Sequence, residues 1–200
     1  MPSRRIAAEG GGSRAQATRA TLLAAARDVF AAGGFADANI TDVVAKAGAS
    51  VGSLYHHFGG KADLYLALFD DYQANQEHRA AEAVRAARLQ GMSDTMQLWL
   101  VGTTAYLRGC WDERELARVF LDGGGPPGFE LIARRRYREW VRVNTALLNN
   151  EDQPLGETLV VVLTSVVAEA GREVAVQETE EAAMRLAAEF VELLGRVGAG

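Results

Sequence analysis

The chain has 200 residues, 48% of them apolar and 24% charged, with a formal net charge of −5 at pH 7. This length suffices for one large or two small domains with a substantial core. Its single cysteine excludes an intrachain disulfide, and its most apolar segment, residues 159–168, is far too short to span a bilayer. Because no signal-peptide stretch opens the sequence either, we expect a cytoplasmic protein.

Basic side chains are concentrated at the start of the chain. Residues 1–61 have a net charge of +3, whereas residues 62–200 have a net charge of −8. An acidic chain as a whole argues against nucleic-acid binding, but a basic segment on an acidic body keeps attraction to phosphate local. The charge pattern therefore directs the search for a nucleic-acid site to residues 1–61.

Residues 1–13 are small and Gly-rich, which predicts a disordered arm. An alternative is that Arg4 and Arg5 reach into a DNA minor groove. A first helix is predicted over residues 14–32, because an apolar stripe recurs at i, i+3, i+4, i+7 and i+8. This stripe consists of Leu22, Ala25, Ala26, Val29 and Phe30.

A helix, a tight turn and a second helix are predicted within residues 40–64. Thr41 is an N-cap type of residue, Gly48 can adopt the left-handed turn conformation, and Ser50 is a second N-cap. In a helix-turn-helix, the second helix enters the DNA major groove with its N-terminal residues toward the base edges. Here these residues are Ser50, Val51, Gly52 and Ser53, followed by Tyr55, His56 and Lys61 as donors to phosphate oxygens.

Several of these residues have a structural alternative. The Tyr55 ring could pack on the first helix instead of contacting phosphate. Gly52 is unfavourable within a helix, which fits a close approach of the backbone to DNA or, alternatively, a tight crossing with the first helix. The neighbours His56 and His57 suggest a metal site, but adjacent helical side chains diverge by about 100° and cannot share one ion. We therefore expect no metal and no cofactor.

The order of residues in this segment resembles the DNA-binding domain of the TetR family of bacterial transcriptional regulators. The resemblance covers about residues 14–69 and rests on Thr41, Val44-Ala45, Ala47-Gly48, Ser50, Gly52, Leu54-Tyr55, His57-Phe58, Lys61 and Leu64. It implies an all-α chain, with a three-helix helix-turn-helix DNA-binding domain at residues 14–60 and a helical ligand-binding and dimerisation domain at residues 61–200. It also implies DNA contacts by Thr18, Arg19 and Thr41.

The sequence after residue 61, the body of the chain, predicts several helices and contains many aromatic residues. A fourth helix is predicted from Lys61 towards Ala87, and in the family that it resembles this helix transmits the effector signal. The aromatic residues could be ordinary core, but apolar pockets with a few polar groups are typical of small-molecule sites, and the resemblance implies a ligand cavity here. The candidate ligand-binding residues are Met96, Trp99, Tyr106, Phe120, Tyr137 and Trp140.

Three other features of the body have simpler interpretations. Gly123, Gly125 and Gly128 match G-x-G-x-x-G, but no strand precedes them, so we interpret residues 123–128 as a helix-breaking connector. Cys110 is interpreted as a buried apolar residue, with a redox sensor as the alternative. The arginines of residues 134–142 are typical of a solvated helix face, with an anchor for an anionic ligand as the alternative.

Two helices are predicted at the end of the chain, over about residues 156–176 and 179–197. The first is apolar on more than one side, and a terminal hairpin cannot be buried on every side within one subunit. Pairing with a second copy in a four-helix bundle resolves this, and the resemblance also implies dimerisation. The predicted interface residues are Leu159, Val162, Leu163, Val166, Leu186, Phe190 and Leu193.

These observations favour a homodimeric DNA-binding repressor that leaves a near-palindromic operator when a small-molecule inducer binds. An activator, or a DNA-binding protein without a ligand, would have the same head and stays open as the alternative. An enzyme would need paired carboxylates, a nucleophile with its base, or a metal cluster. The sequence shows none of these, so we predict no catalytic residues.

Overall fold

The chain is all-α in the computed structural model, which describes residues 7–121, 124–148 and 156–198, with side chains from residue 14 onward. The all-α prediction is confirmed, since the described residues form helices and no strand. The helices are α1 (Ala7–Asp37), α2 (Ile40–Ala47), α3 (Val51–Phe58), α4 (Lys61–Leu89), α5 (Thr95–Asp112), α6 (Arg114–Leu121), α7 (Phe129–Leu148), α8 (Glu157–Ala175) and α9 (Glu180–Gly198). Among the described residues, no helix is long and apolar enough to cross a membrane.

The chain divides into two compact units. Unit 1 comprises Met1–Asp71 with Gly124–Pro126, and unit 2 comprises Tyr72–Gly123 with Pro127–Gly200. The division falls within α4, so this helix supplies residues to both units. The division lies after residue 71, whereas the sequence pattern places the domain boundary after residue 60.

The core of unit 1 is built by α1, α2, α3 and the beginning of α4. Phe30 and Tyr65 are almost completely buried, and their rings meet edge to face with 5.2 Å between centroids, a favourable arrangement for aromatic pairs. The Tyr65 hydroxyl donates to the carbonyl oxygen of Gly124. The buried apolar residues of α1, α2 and α3 are Leu22, Leu23, Ala25, Ala26, Phe30, Val43, Val44, Leu54 and Phe58.

Helix α1 differs from its predicted bounds at both ends. It begins at Ala7 rather than residue 14, so the predicted disordered arm is helical from residue 7 onward, since once a helix has nucleated each added residue gains a hydrogen bond. Residues 1–6, with Arg4 and Arg5, lie outside the described residues. At the other end Gly34 has φ 63° and ψ −168°. The helical backbone therefore breaks at Gly34, and one further turn reaches Asp37.

The core of unit 2 has α5 at its centre, packed against α7, α8 and α9. Leu107, Leu148, Val160 and Val167 are completely buried. One polar pair lies within this core, because the Asn144 amide donates to the Thr164 hydroxyl over 3.0 Å. The pair satisfies both groups where water cannot reach them.

The connector between α6 and α7 is non-helical over its described part, residues 124–128, as predicted. Gly128 has φ 85°, a conformation that glycine tolerates better than any other residue. Gly123, the first glycine of the apparent G-x-G-x-x-G pattern, lies outside the described residues.

Candidate functional site

Helices α2 and α3 are joined by the tight turn that the sequence predicts. Gly48 has φ 60° and ψ 29°, in the left-handed region, and ends α2. The Ser50 hydroxyl then accepts a hydrogen bond of 3.1 Å from the Ser53 backbone N–H, which caps the first turn of α3. Leu54 and Phe58 on α3 are buried. The turn and these two anchors fix the direction in which the opposite face of α3 points.

The predicted N-cap at Thr41 is wrong. Asn39 precedes α2 with an extended backbone (φ −114°, ψ 140°), and α2 begins at Ile40. Asn39, two positions before Thr41, occupies the N-cap position without a side-chain capping hydrogen bond, and its amide donates to the carbonyl oxygen of Asp37 over 3.3 Å. Thr41 is exposed in the first turn of α2 and remains available for an intermolecular contact.

The outward face of α3 carries most of the residues predicted to contact DNA. Val51 is 43% exposed and Tyr55 is 52% exposed, and Gly52 and His56 are exposed as well. The Tyr55 side chain is therefore not part of the core and is accessible to a binding partner. Ser53 is half-buried.

Gly52 has free space around it. A Cβ atom added there would meet nothing closer than the Ser50 Oγ at 3.9 Å. The tight crossing with α1, one of the two explanations for a glycine here, is therefore wrong. A close approach by a binding partner remains as the explanation.

Two predicted contact residues lie near the middle of α1. The Arg19 guanidinium lies 5.0 Å from the centroid of the Phe58 ring, so it stacks on an anchor of α3 and is still exposed. The Thr18 hydroxyl donates to the Arg14 carbonyl oxygen over 3.0 Å. Arg19 thus adds a positive charge beside α3, whereas the Thr18 hydroxyl proton is used within α1.

Lys61, which is predicted to contact a phosphate, also has partners within unit 1. Its Nζ donates to the Ala36 carbonyl oxygen over 3.0 Å and lies 4.6 Å from the centroid of the Phe35 ring. The side chain is half-buried. Lys61 therefore ties the beginning of α4 to the end of α1, since it satisfies a carbonyl group at a helix terminus.

His56 and His57, the adjacent histidines that suggested a metal site, lie in the last turn of α3. Their rings lie 5.2 Å apart at 70° to each other, and His57 is half-buried beside Phe58. Among the described residues, no group of three His, Cys, Asp or Glu side chains comes together in a way that could hold a metal ion.

Four of the six predicted ligand-binding residues come together in unit 2. Met96, Trp99, Tyr106 and Trp140 belong to one apolar cluster, in which the Tyr106 and Trp140 rings lie 5.1 Å apart. The same cluster includes Leu163, which is 1% exposed and thus part of the internal core. Its prediction as an interface residue is wrong, because helical periodicity does not tell which neighbour covers a given apolar face.

Phe120 and Tyr137 lie apart from that cluster. Phe120 packs against Tyr72 with 5.4 Å between ring centroids. The Tyr137 hydroxyl forms a 2.6 Å hydrogen bond with Ser165 on an outer face of α7 and α8. This face has an open groove of about 480 Å³, lined by Tyr137, Arg138, Val141, Arg142 and Val161.

The arginines of α7 behave mainly as a solvated face. Arg135 and Arg136 pair with Glu139 at 3.6 and 3.3 Å, and Arg142 lies 4.0 Å from the same carboxylate. These pairs are one helical turn apart along α7 and are substantially exposed, so each contributes little to stability.

A buried polar cluster between α4, α5 and α8 was missed by the sequence analysis. The Tyr72 hydroxyl lies 3.8 Å from the Cys110 sulfur, and Gln76, 2% exposed, lies beside them on α4. Burial raises the pKa values of Tyr72 and Tyr106 above the ordinary phenol range. The surrounding sequence of α4 is polar, and its composition carried no signal that Gln76 would be buried.

The predicted interface residues other than Leu163 lie toward the surface of α8 and α9. Val162 is 48% exposed and Leu193 is 45% exposed. The remaining four, Leu159, Val166, Leu186 and Phe190, are half-buried and pack against the core clusters from outside. The two helices thus keep an apolar outer face that their own chain does not cover.

Comparison with known proteins finds similar bacterial regulators that contain a helix-turn-helix. The profile of the bacterial regulatory proteins of the tetR family matches residues 22–68. The chain is 39% identical over 100 residues to the HTH-type transcriptional regulator CymR of Pseudomonas putida, over 50% of this chain and 46% of the relative. It is 38% identical over 71 residues to the HTH-type transcriptional regulator TtgR, also of Pseudomonas putida, over 34% of each chain.

The curated relatives are therefore matched over about a third to a half of their length. One solved structure is similar over almost the whole chain. The crystal structure of a TetR-family transcriptional regulator from Pectobacterium atrosepticum has a TM-score of 0.64 at 28% identity, covering 91% of this chain and 94% of that one.

The α2–turn–α3 geometry is that of a helix-turn-helix within an all-α chain. Residues 22–68, which include α2, the turn and α3, match the TetR family, and the whole chain is similar in fold to a solved TetR-family transcriptional regulator.

The internal role of Lys61 gives a prediction for stability. Lys61→Ala removes a hydrogen bond from a charged donor and a cation–π contact, so we expect the free energy of unfolding to fall by about 1–2 kcal/mol. Urea denaturation measures this change. Lys46→Ala is the matched control, because Lys46 pairs with Asp28 at 2.7 Å with both side chains about half exposed, and should change stability by less than about 0.5 kcal/mol. Equal effects of the two substitutions would contradict the assignment.

The position of Cys110 gives a prediction for thiol chemistry. The residue is completely buried, and burial raises the pKa of its thiol to about 11, so little thiolate exists at pH 8. We expect Ellman's reagent to leave the native protein unmodified at pH 8 and to modify one thiol per chain in guanidinium chloride. Rapid reaction of the native protein would instead support the redox-sensor alternative.

Proposed function

We propose that the protein is a homodimeric, effector-responsive regulator that binds a near-palindromic operator and, most simply, represses transcription until a small molecule releases it. The observation that carries this proposal is the geometry of α3. Its inner face is held by Leu54 and Phe58, and its N-terminal turn and outer face are exposed. A recognition helix needs this combination of a fixed orientation and an accessible N-terminal turn.

Sequence preference would come from the first turn of α3. Val51 can make apolar contact with a thymine methyl group, and Ser53 can donate to or accept from a base edge. Gly52 has no side chain and open space around it, so the helix backbone can come close to the groove floor. Since none of these residues forms a bidentate pair with a base, DNA shape and deformability contribute to specificity.

Affinity would come from residues at the edge of this face. The Tyr55 hydroxyl, the His56 ring and the Arg19 guanidinium are exposed, and each can donate to a phosphate oxygen. Ser50 is exposed but its hydroxyl caps α3, so it positions the helix and still has a proton to donate. Thr41, at the beginning of α2, is likewise exposed and can contact the phosphate backbone of DNA.

Dimerisation through α8 and α9 would place two heads on one operator. Large apolar side chains on these helices remain 39–48% exposed in the single chain: Val161, Val162, Leu193 and Val197. An apolar patch of this kind on a regulator is typical of an interface. A twofold pair of identical chains reads two related half-sites, so the operator is expected to be near-palindromic.

The effector would act by preferring a dimer geometry that does not fit the operator. Ligand and DNA then weaken each other by the same factor, as linkage requires. A typical coupling of about 1–3 kcal/mol corresponds to a loss of operator affinity of about 5–150-fold. The aromatic cluster of unit 2, with Trp99, Tyr106 and Trp140, is the region that we propose for this ligand. An activator with the same head remains the second candidate, and the sign of transcriptional change on ligand addition separates the two.

Substitution of Gly52 tests the recognition helix directly. In Gly52→Ala the added methyl group projects into open space and removes an unfavourable helical glycine, so stability should rise by about 1 kcal/mol. If the backbone approaches DNA here, affinity for a site enriched from random-sequence DNA should fall by about tenfold or more. Fluorescence anisotropy measures the affinity.

Two controls accompany this experiment. Gly156→Ala adds a methyl group in equally open space at the beginning of α8 and should leave DNA affinity unchanged. Tyr55→Phe should weaken the enriched site and random DNA alike, because phosphate contacts do not depend on sequence. A Gly52→Ala variant with wild-type DNA affinity would contradict the assigned role of α3.

Charged substitutions test the proposed dimer face of α8 and α9. Val162→Glu together with Leu193→Glu places carboxylates on the apolar face of both copies, so the dissociation constant of the dimer should rise at least about a hundredfold. Sedimentation velocity then shows a species near the chain mass of 21.5 kDa instead of twice that mass. Leu131→Glu, at an α7 residue that is 65% exposed, should leave the dimer intact. An unchanged dimer in the double variant would place the interface elsewhere.

A further inference from the structure

The open groove on the outer face of α7 and α8 combines apolar walls with two guanidinium groups. Its volume is about 480 Å³. Four of its lining residues lie on α7 within two helical turns, and the fifth lies opposite them on α8. None of the five belongs to the buried aromatic cluster that contains Trp99 and Tyr106. The lining residues are Tyr137, Arg138, Val141, Arg142 and Val161.

The hydroxyl groups beside the groove already have partners within the protein. The Ser165 hydroxyl donates to the Val161 carbonyl oxygen over 2.8 Å. The Tyr137 hydroxyl lies 2.6 Å from the Ser165 oxygen and 3.3 Å from the same carbonyl oxygen. With both hydroxyl protons used internally, the hydrogen-bond donors that remain for a ligand are those of the two arginines.

These two arginines have weak carboxylate partners or none among the described residues. Arg138 is exposed and forms no ion pair in the described part of α7, where Glu139 pairs with other arginines. Arg142 lies 4.0 Å from Glu139, and its side chain is 75% exposed. Arg135 and Arg136 approach the same carboxylate more closely, at 3.6 and 3.3 Å. Both guanidinium groups of the groove therefore keep their capacity to bind an anion.

Positive charge is concentrated on α7 although the body of the chain is acidic. This helix contains five arginines and two glutamates, whereas residues 62–200 as a whole have a net charge of −8. A positive patch of this kind attracts anions locally. Since Arg138 and Arg142 are four residues apart, they lie on one side of the helix with about 5–6 Å between their Cβ atoms. One carboxylate can thus accept hydrogen bonds from both side chains.

The apolar wall on α8 borders the proposed dimer face but points elsewhere. Val161 is 39% exposed and faces α7 across the groove. The next residue, Val162, is 48% exposed and points about 100° further around α8. A partner chain that covers Val162 can therefore leave the groove open to a small molecule.

We propose that this groove binds a monocarboxylate with a compact apolar body. The carboxylate accepts hydrogen bonds from Arg138 and Arg142, and the apolar body covers the two valines and the Tyr137 ring. An uncharged molecule of the same shape makes the apolar contacts but not the charge-assisted hydrogen bonds. The site goes beyond the proposed function, since it lies outside the aromatic cluster proposed for the effector and does not require DNA binding.

The test uses three probes and the full-length protein labelled with nitrogen-15. Cyclohexanecarboxylate has the charge and the apolar body, cyclohexanecarboxamide is its uncharged isostere, and acetate has the charge alone. Each probe is titrated at neutral pH and low salt, and proton–nitrogen correlation spectra identify the backbone amides that shift and give the dissociation constant.

Two double variants are compared with the wild type. Arg138→Gln with Arg142→Gln removes both guanidinium groups from the groove. Arg134→Gln with Arg135→Gln is the matched control, because it makes the same change of charge on the same helix with residues that do not line the groove. All four side chains are exposed, so both double variants should fold.

We expect cyclohexanecarboxylate to shift the amides of residues 137–142 and 161–165 saturably, and to bind at least about tenfold more tightly than the carboxamide or acetate. Its dissociation constant should rise at least about tenfold in the groove variant and less than about twofold in the control. Saturable shifts confined to other residues, equal affinity for the carboxamide or acetate, or equal losses in the two variants would overturn the proposal. So would the absence of a saturable shift at about 20 mM probe.

Affinity for DNA, measured in parallel without probe, separates this proposal from the proposed function. Both double variants should bind the enriched DNA site as the wild type does. If the wild type binds this DNA site but no probe occupies the groove, the groove assignment fails and the regulator assignment stands. If the wild type binds no DNA site while probe binding depends on Arg138 and Arg142, the proposed function fails and the groove assignment stands.

Discussion

The burial of Leu54 and Phe58 is the constraint on which the DNA-binding proposal depends. These two residues, one turn apart on an eight-residue helix, hold α3 in unit 1, and an isolated helix of that length would not be stable in water. Gly48 and the Ser50 cap set where α3 begins, and Lys61 joins the helix that follows it to the end of α1. The exposed turn of α3 is thus positioned by contacts made on its opposite side, so substitutions far from DNA can weaken recognition by loosening this support.

Unit 2 differs from unit 1 in that polar side chains are buried within it. Asn144 and Thr164 satisfy each other within the core, as a structural pair should. The cluster of Tyr72, Gln76 and Cys110 is buried as well, with Tyr72 and Gln76 on α4, the helix that supplies residues to both units.

The helix-turn-helix was predictable from the sequence because its signals are local: a left-handed glycine, an N-cap serine and two apolar residues at i and i+4. The roles of Lys61 and Gln76 were not, because each depends on residues far away in the chain. Lys61 bonds to a carbonyl group 25 residues earlier, and Gln76 is buried by α5 although the sequence around it is polar. Likewise, helical periodicity identified Leu163 as apolar but did not show that its own subunit covers it. Local patterns determine the elements, and tertiary packing determines which of their faces remain free.

The most direct test of the central claim is selection of DNA sites from a random-sequence pool by the wild-type protein, followed by sequencing of the enriched sites. Two copies of α3 related by a twofold axis predict an inverted repeat whose half-site centres are separated by about 10–10.5 base pairs or a multiple of that distance. Enrichment of such a repeat would support the dimeric regulator. Enrichment of single, unpaired half-sites would contradict the dimer, and the absence of any enriched sequence would contradict sequence recognition by α3.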